Sequence, residues 1–359
     1  MTITLYIGSL GGGGAERITC EMSNYLVESG HTVKILVNSD VKVGYELDDR
    51  VEVIVALKTD DRVNFVINQI KRFWNLYYFF RNDRSDCCIC MSTEAAIYLS
   101  FIRKIIRYPL IMSERANPCS YSRVIKSCIP RMCKIISGFV FQTEEAQNWY
   151  ARYIRNQKYT VIPNAVNKAV LEHIYRGERD NRIVSIGRLS KEKNFQLLIS
   201  AFSRVHKAHP EYELTIYGEG VERKNLENLV EELKLNNCIK LPGFKNPIAK
   251  EVANAQMFVL TSNFEGMPNA LIEAMSLGLA CVSTNCPIGG PRFLIKSGIN
   301  GYLFPVGDEE KLVELLELLI CNKSKRDYIG DNAKTISEKL SSERIYKQWE
   351  DFIRSVIEK

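Results

Sequence analysis

Two glutamates eight residues apart, Glu265 and Glu273, flank a Gly-Met-Pro-Asn turn in the stretch SNFEGMPNALIEAM, residues 262–275. Carboxylates so placed can accept hydrogen bonds from the hydroxyl groups of a sugar or a ribose. The apolar run AQMFVL, residues 255–260, precedes them and reads as a buried parallel strand, while LIEAMSLGLA follows with helical spacing. Pro268 suits the first helical position and Gly278 the far end. Such a strand-loop-helix junction aims the backbone N–H groups from about Met267 to Leu271 into the crevice beyond the sheet, where they attract anions, phosphate above all. The stretch then reads as part of a sugar-nucleotide site, diphosphate on the helix end and hydroxyls on the carboxylates. The plain alternative is an acidic loop residue plus a solvated helix glutamate.

Neighbouring loops carry complementary groups. In GRLSKEKN, residues 187–194, Arg188 and Lys193 stand five apart across a turn that follows the strand RIVSI, so both can neutralise a diphosphate over the same strand ends. LPGF, residues 241–244, is a Pro-Gly turn after a strand, able to present backbone groups to a nucleobase edge. Near the start, GSLGGGGAER places glycine at all four positions from Gly11 to Gly14, which lets backbone approach a ligand closely. It is not the dinucleotide fingerprint, because Glu16 or Arg17 stands where the last glycine belongs, and no Gly-Lys pair exists to make a P-loop.

Short apolar strands alternating with helical segments must position these loops. The first half reads ITLYIG, TVKILV, VEVIVAL, CCICMS, PLIMSE, GFVFQT and YTVIPNAV, with a long helix over 62–81 among the intervening helices. The pattern restarts at RIVSIGRLS and runs through ELTIYGEG, CIKLPGF, QMFVLTS, ACVST and GYLFPVGD. This alternation predicts an α/β protein of two doubly wound parallel-sheet domains, 1–164 and 165–340, facing a central cleft, with a last helix over 341–359 packing back on the first. Ligands of such sheets bind beyond the carboxyl ends of the strands.

At 359 residues, 46% apolar and 25% charged, the chain is long enough for two cores. Its eleven cysteines lack a zinc spacing, and MTITLYIGSL reads as a strand broken by Gly8 rather than a secretory leader, so they read as reduced cytoplasmic thiols. No stretch reaches the roughly 18 apolar residues of a membrane span. The net charge of +6 is uneven: residues 62–135 hold 13 Lys and Arg against four Asp and Glu. There, RVNFVINQIKRFWNLYYFFRN, FIRKIIRYP and YSRVIKSCIPRMCKIISG interleave cations with aromatics, which suits an anionic membrane interface or, alternatively, a core-facing aromatic helix with a wet basic side. No nucleic-acid recognition motif accompanies the charge.

Taken together, GGGGAER, VIPNAV, IGRLSKEKN, LPGF, SNFEGMPNALIEAMSLGLACVSTNCPIGGP and GINGYLFPVGD resemble the retaining glycosyltransferases of family 4, whose fold is GT-B, over nearly the whole chain. The resemblance implies transfer from a nucleotide-sugar, a UDP-sugar by family base rates, with retention and without metal or other cofactor. It implies that Arg188, Lys193 and Glu265 do the catalytic work, the two cations stabilising the departing diphosphate and Glu265 lying near the donor sugar. Glu273 would accept from the ribose hydroxyls, and Gly266, Met267, Pro268, Asn269 and Ala270 would hold sugar and phosphate, with Gly187 and Gly243 beside the donor. Gly12, Gly13 and Gly14 would close over the phosphates and shape the acceptor site. Many members place a histidine in the first domain beside the donor sugar; here LIMSERANP offers Ser113, Glu114 and Arg115 instead, candidates for contacting acceptor or donor, or an internal ion pair. The implied acceptor is a polyprenyl diphosphate-linked oligosaccharide at the inner face of the cytoplasmic membrane, in O-antigen, capsule or exopolysaccharide assembly. A nucleotide-sugar epimerase of this architecture and a non-catalytic nucleotide-sugar-binding module are the alternatives.

Overall fold

Uncharged runs of Ile, Val, Leu and Cys fit strands covered on both faces, as parallel sheets require. Thirteen strands form in the computed structural model, which describes residues 1–40, 42–58 and 63–358. The chain divides into two units, Met1–Ala165 with Glu343–Lys359, and Val166–Ser342.

In the first unit β1 (Thr2–Ile7), β2 (Thr32–Val37), β3 (Glu52–Val55), β4 (Cys87–Cys90), β5 (Leu110–Glu114), β6 (Gly138–Phe141) and β7 (Lys158–Val161) form one sheet in the order β3-β2-β1-β4-β5-β6-β7. Every neighbouring pair is parallel. Helices α1 (Gly14–Glu28), α2 (Phe65–Asn82), α3 (Thr93–Ile102), α4 (Arg123–Cys133) and α5 (Glu144–Tyr150) make the crossovers. Strand order reverses between β1 and β4, which opens a crevice beyond their carboxyl ends. The helix expected over 62–81 is α2, and Arg62 lies outside the described residues. Leu76 and Phe80 of α2 are buried, so part of its aromatic run is core.

The second unit contains α6 (Lys168–Leu171), β8 (Asp180–Ile186), α7 (Phe195–Ala208), β9 (Glu213–Tyr217), α8 (Arg223–Glu232), β10 (Ile239–Gly243), α9 (Ile248–Val252) and β11 (Ala255–Leu260). It continues with α10 (Asn269–Ser276), β12 (Ala280–Thr284), α11 (Gly290–Leu294), β13 (Tyr302–Phe304), α12 (Glu309–Cys321), α13 (Lys323–Ala333) and α14 (Ile336–Lys339). The parallel sheet runs β10-β9-β8-β11-β12-β13, with its reversal between β8 and β11. All eleven cysteines are free.

The last helix, α15 (Ser342–Ile357), belongs to the first unit from Glu343 onward. Ile345, Trp349, Ile353 and Val356 recur at helical spacing and are buried, while the Tyr346 hydroxyl donates to Glu21 at 2.6 Å. Glu350, also buried, accepts from Arg354 at 2.7 Å and Lys347 at 3.2 Å, and its Oε1 lies 3.2 Å from His31 Nε2. Burial opposes the charge on Glu350, yet the hydrogen bonds from Arg354, His31 and Lys347 outweigh it and bring the carboxyl down to about 2. A folded value below the unfolded one adds stability that is complete above the unfolded value, near 4.5, and is lost as pH falls toward about 2. Glu350→Gln is therefore expected to cost about 1–3 kcal/mol at neutral pH and to flatten the loss of stability on acidification. Thermal unfolding followed by circular dichroism across that pH range measures both.

Candidate functional site

Because β8 and β11 are neighbours in one parallel sheet, the loops leaving their carboxyl ends lie side by side. The β8 loop turns through a short 3-10 segment, Lys191–Lys193, and reverses at Asn194, whose φ of 49° is left-handed. The β11 loop is bonded to it along its length. The Thr261 hydroxyl donates to the Lys193 carbonyl at 2.9 Å, Asn263 N–H to the Glu192 carbonyl at 2.8 Å, and Asn263 Nδ2 to the Lys191 carbonyl at 3.2 Å. Between these clamps Lys193 Nζ lies 2.5 Å from Glu265 Oε1, which also accepts from Ser262 Oγ at 2.7 Å. The pair is mostly sheltered, with side chains 21% and 12% exposed, so it is screened less than a surface ion pair.

Arg188 opens the same loop and is exposed, and its guanidinium forms no ion pair or hydrogen bond among the described residues. Burial favours the neutral form of Glu192, but bonds from Ser190 and its own backbone, with the charges of Arg188 and Lys193, hold its carboxyl below the ordinary range. The loop thus carries two cations exposed to solvent, Arg188 and Lys191, and one held by a carboxylate. A recess lined by Ser190, Lys191, Asn194, Gln196 and Glu222 adjoins it, with neither Arg188 nor Lys193 on its wall.

Backbone packing fixes the neighbouring strand ends. Gly187 N–H donates to the Tyr217 carbonyl and Gly218 N–H to the Gly243 carbonyl, both at 3.0 Å, joining the ends of β8, β9 and β10. Glu265 is pinned from the other side: its N–H donates to the Pro287 carbonyl at 2.7 Å and its carbonyl accepts from Ile288 at 2.9 Å. Gly290 packs so close to the Gly266 carbonyl that a Cβ on it would lie 1.7 Å from that oxygen. These supports, Ser262, Thr261, Gly218 and Gly290, were not singled out from the sequence. Their signal lay in the strand-end stretches themselves, but only the register shows which of them touch.

The helix after the loop begins one residue later than its spacing predicted. Pro268 is the N-cap of α10, which starts at Asn269, and Leu271 N–H already donates to the Pro268 carbonyl at 3.1 Å, so it is not available to an anion. Gly278 follows the helix with φ of 76°, and Leu279 N–H closes the end on the Ala274 carbonyl at 3.1 Å. Met267 and Pro268 are buried; Gly266, Asn269, Ala270 and Glu273 are half-buried, Glu273 one turn into the helix. Glu265 and Glu273 therefore bracket the start of α10, with Glu265 in direct contact with Lys193.

In the first unit, Gly13 caps α1 and Gly14 begins it, with Gly12 exposed in the preceding turn. A Cβ on Gly44 would lie 2.0 Å from the Gly11 carbonyl, so this turn is supported by close backbone packing. Ser113, Glu114 and Arg115 end β5. Glu114 points inward, where Tyr150 at 2.6 Å, Tyr121 at 2.7 Å, Thr93 at 2.8 Å and Ala116 N–H at 2.9 Å all donate to it. Burial raises its carboxyl above the ordinary range in spite of those four bonds. Arg115 donates to Asn164 Oδ1 at 2.9 Å and sits 6.0 Å from the Trp349 ring centre, and burial lowers its guanidinium to about 10. The expected alternative of an ordinary ion pair within the domain is not realised: neither Glu114 nor Arg115 forms one among the described residues. Ser113 is buried, its hydroxyl unbonded among the described residues. Asn164, in the VIPNAV stretch, accepts from Gln142 as well, at 2.7 Å.

Two doubly wound parallel-sheet units, the second with cations and carboxylates at the turning point of its strand order, define the GT-B class of glycosyltransferase. The model for Glycosyltransferase Family 4 matches residues 12–170, and that for Glycosyl transferases group 1 matches residues 172–336. The chain belongs to the family 4 glycosyltransferases. It is 25% identical, over 99% of both chains, to the GalNAc-α-(1→4)-GalNAc-α-(1→3)-diNAcBac-PP-undecaprenol α-1,4-N-acetyl-D-galactosaminyltransferase of Campylobacter jejuni. To the amylovoran biosynthesis glycosyltransferase AmsD of Erwinia amylovora it is 22% identical, over 98% of this chain and 99% of that one. Among solved structures, Anabaena HepE in complex with UDP and glucose superposes with a TM-score of 0.83 at 18% identity, over 99% of this chain and all of that one. The pneumococcal O-GlcNAc transferase GtfA with UDP and GlcNAc gives 0.82 at 15%, over 100% and 99%.

If the Gly290 contact seats the Glu265 loop, Gly290→Ala must push that loop away from Lys193. The expected result is a loss of at least about 2 kcal/mol of stability and weakened nucleotide-sugar binding, read from thermal unfolding with and without ligand. Unchanged melting and unchanged ligand shift would remove the contact from the site.

Proposed function

We propose that this glycosyltransferase moves a hexose or N-acetylhexosamine from a UDP-sugar to a polyprenyl diphosphate-linked oligosaccharide, with retention of anomeric configuration and without metal, in surface polysaccharide assembly. The observation that carries the reading is the Lys193–Glu265 pair, held by two loops at the turning point of the second sheet beside the solvent-open Arg188. The relatives' activity on undecaprenyl diphosphate-linked sugars and the neighbours' bound UDP support the choice of acceptor and donor.

In the reaction the anomeric C–O bond to the diphosphate breaks, its electron pair staying on the phosphate oxygen, while the oxygen of an acceptor hydroxyl forms the new bond to the same carbon and its proton passes to the departing diphosphate. Negative charge grows on the leaving group, and preorganised donors there lower the barrier. Arg188 meets the diphosphate first because no carboxylate occupies it. Lys193 is shared between Glu265 and the arriving anion, so donor binding loosens the pair and leaves Glu265, still bonded to Ser262, facing the donor sugar. Glu273 accepts from the ribose hydroxyls, and the start of α10 adds its dipole to the phosphate. An acceptor anchored in lipid requires the protein to work peripherally at the inner surface of the cytoplasmic membrane; none of the described helices is long and apolar enough to cross one.

Arg188→Ala and Lys193→Ala should each lower kcat by roughly 100- to 1000-fold, with Lys193→Arg recovering part of the loss, in an assay of UDP release with lipid-linked acceptor. EDTA should leave the rate unchanged, and NMR of the product should show the donor's anomeric configuration. Activity lost with EDTA and restored by manganese would overturn the metal-free reading. Donor conversion without acceptor would indicate an epimerase, and binding without turnover a non-catalytic module.

A further inference from the structure

On α2, Val66, Ile70, Trp74 and Tyr78 follow one another at intervals of four and stay 64, 54, 49 and 55% exposed. Four-residue spacing puts them on one side of the helix, and Ile67 and Val63 extend the ridge at its start. An adjoining side holds the buried Leu76 and Phe80. An apolar ridge left open on a helix whose other face is already seated marks an interaction surface rather than a gap in the core. Its chemistry narrows the partner. The helix has no acidic residue, and its Lys71 and Arg81 are exposed, whereas Arg72 is half-buried and bonded to Gln69. The 3-10 turn Arg103–Ile105 packs against it, with Lys104 and Arg107 exposed, and beyond it Arg131 lies 5.1 Å from the exposed Phe101 ring.

We propose that α2 lies in the headgroup layer of an anionic bilayer, its ridge among the acyl chains and the surrounding cations on lipid phosphates. Trp and Tyr are the side chains that settle at that depth, with the ring in the apolar layer and the polar tip in the wet one, and unbalanced positive charge favours lipid over an ordinary protein partner. The inference deepens the lipid-linked acceptor reading and rests on it: it names the surface that brings the first unit to its substrate.

The test is cosedimentation of the full chain with vesicles of phosphatidylcholine alone or with phosphatidylglycerol, at low and high salt. Binding is expected with phosphatidylglycerol, weaker but still present in high salt, since the apolar part is not screened. Trp149 is half-buried and Trp349 buried, so a blue shift of tryptophan emission on binding should disappear in Trp74→Phe while sedimentation persists. Ile70→Glu with Tyr78→Glu should lower partitioning at least tenfold at an unchanged Tm. Absence of wild-type binding to phosphatidylglycerol vesicles, equal binding by the double variant, or a wild-type dimer that the double variant dissolves would each overturn the proposal. Donor hydrolysis measured on vesicle-free wild type tests the transferase reading on its own, so the two can fail separately.

Discussion

Lys193 and Glu265 stand 72 positions apart and meet only because β8 and β11 are hydrogen-bonded neighbours at the point where the strand order turns. The rest of the second unit holds that meeting in place. Bonds from Thr261 and Asn263 fix the Lys193 loop, while Pro287, Ile288 and Gly290 fix the Glu265 loop. An ion pair at 2.5 Å in a mostly sheltered position is oriented by its supports as much as by charge. Such a pair can give up its cation to a stronger anion without moving its backbone. That property, more than any single residue, is what the proposed donor chemistry draws on.

Much of this was readable in the chain. Strands buried on both faces, such as β4, β6, β11 and β12, leave uncharged apolar runs, and the alternation of apolar segments with helical ones located the rest. The carboxylates, the two cations and the Pro-Gly turn fall at strand ends because that is where parallel sheets leave loops. What sequence spacing did not resolve depended on contacts between distant segments. Glu114 is a candidate through the family resemblance of its LIMSERANP segment, yet Thr93, Tyr121 and Tyr150 draw it into the core. Pro268 was displaced by one position because its carbonyl, rather than its ring, begins the hydrogen-bonded turn. The aromatic run on α2 is similarly divided: composition shows its richness, but only the packing separates Leu76 and Phe80 from Trp74 and Tyr78.

Charge is managed differently in the two units. In the first, buried ionisable groups are tied to structure: Glu350 gathers Arg354, Lys347 and His31, and Arg115 rests on Asn164 and Trp349. Those bonds stabilise the fold. In the second, Arg188 is left open and Lys193 is paired with Glu265 in a mostly sheltered position. The division agrees with placing donor chemistry in the second unit.

A helix that follows the second unit in the chain completes the unit that precedes it. During synthesis the face that receives Tyr346, Trp349, Ile353 and Val356 must wait, uncovered, until the whole second unit has left the ribosome. The first unit thus reaches its final stability only after the second unit exists, so a nascent chain interrupted before residue 343 should expose apolar surface that chaperones and proteases can recognise.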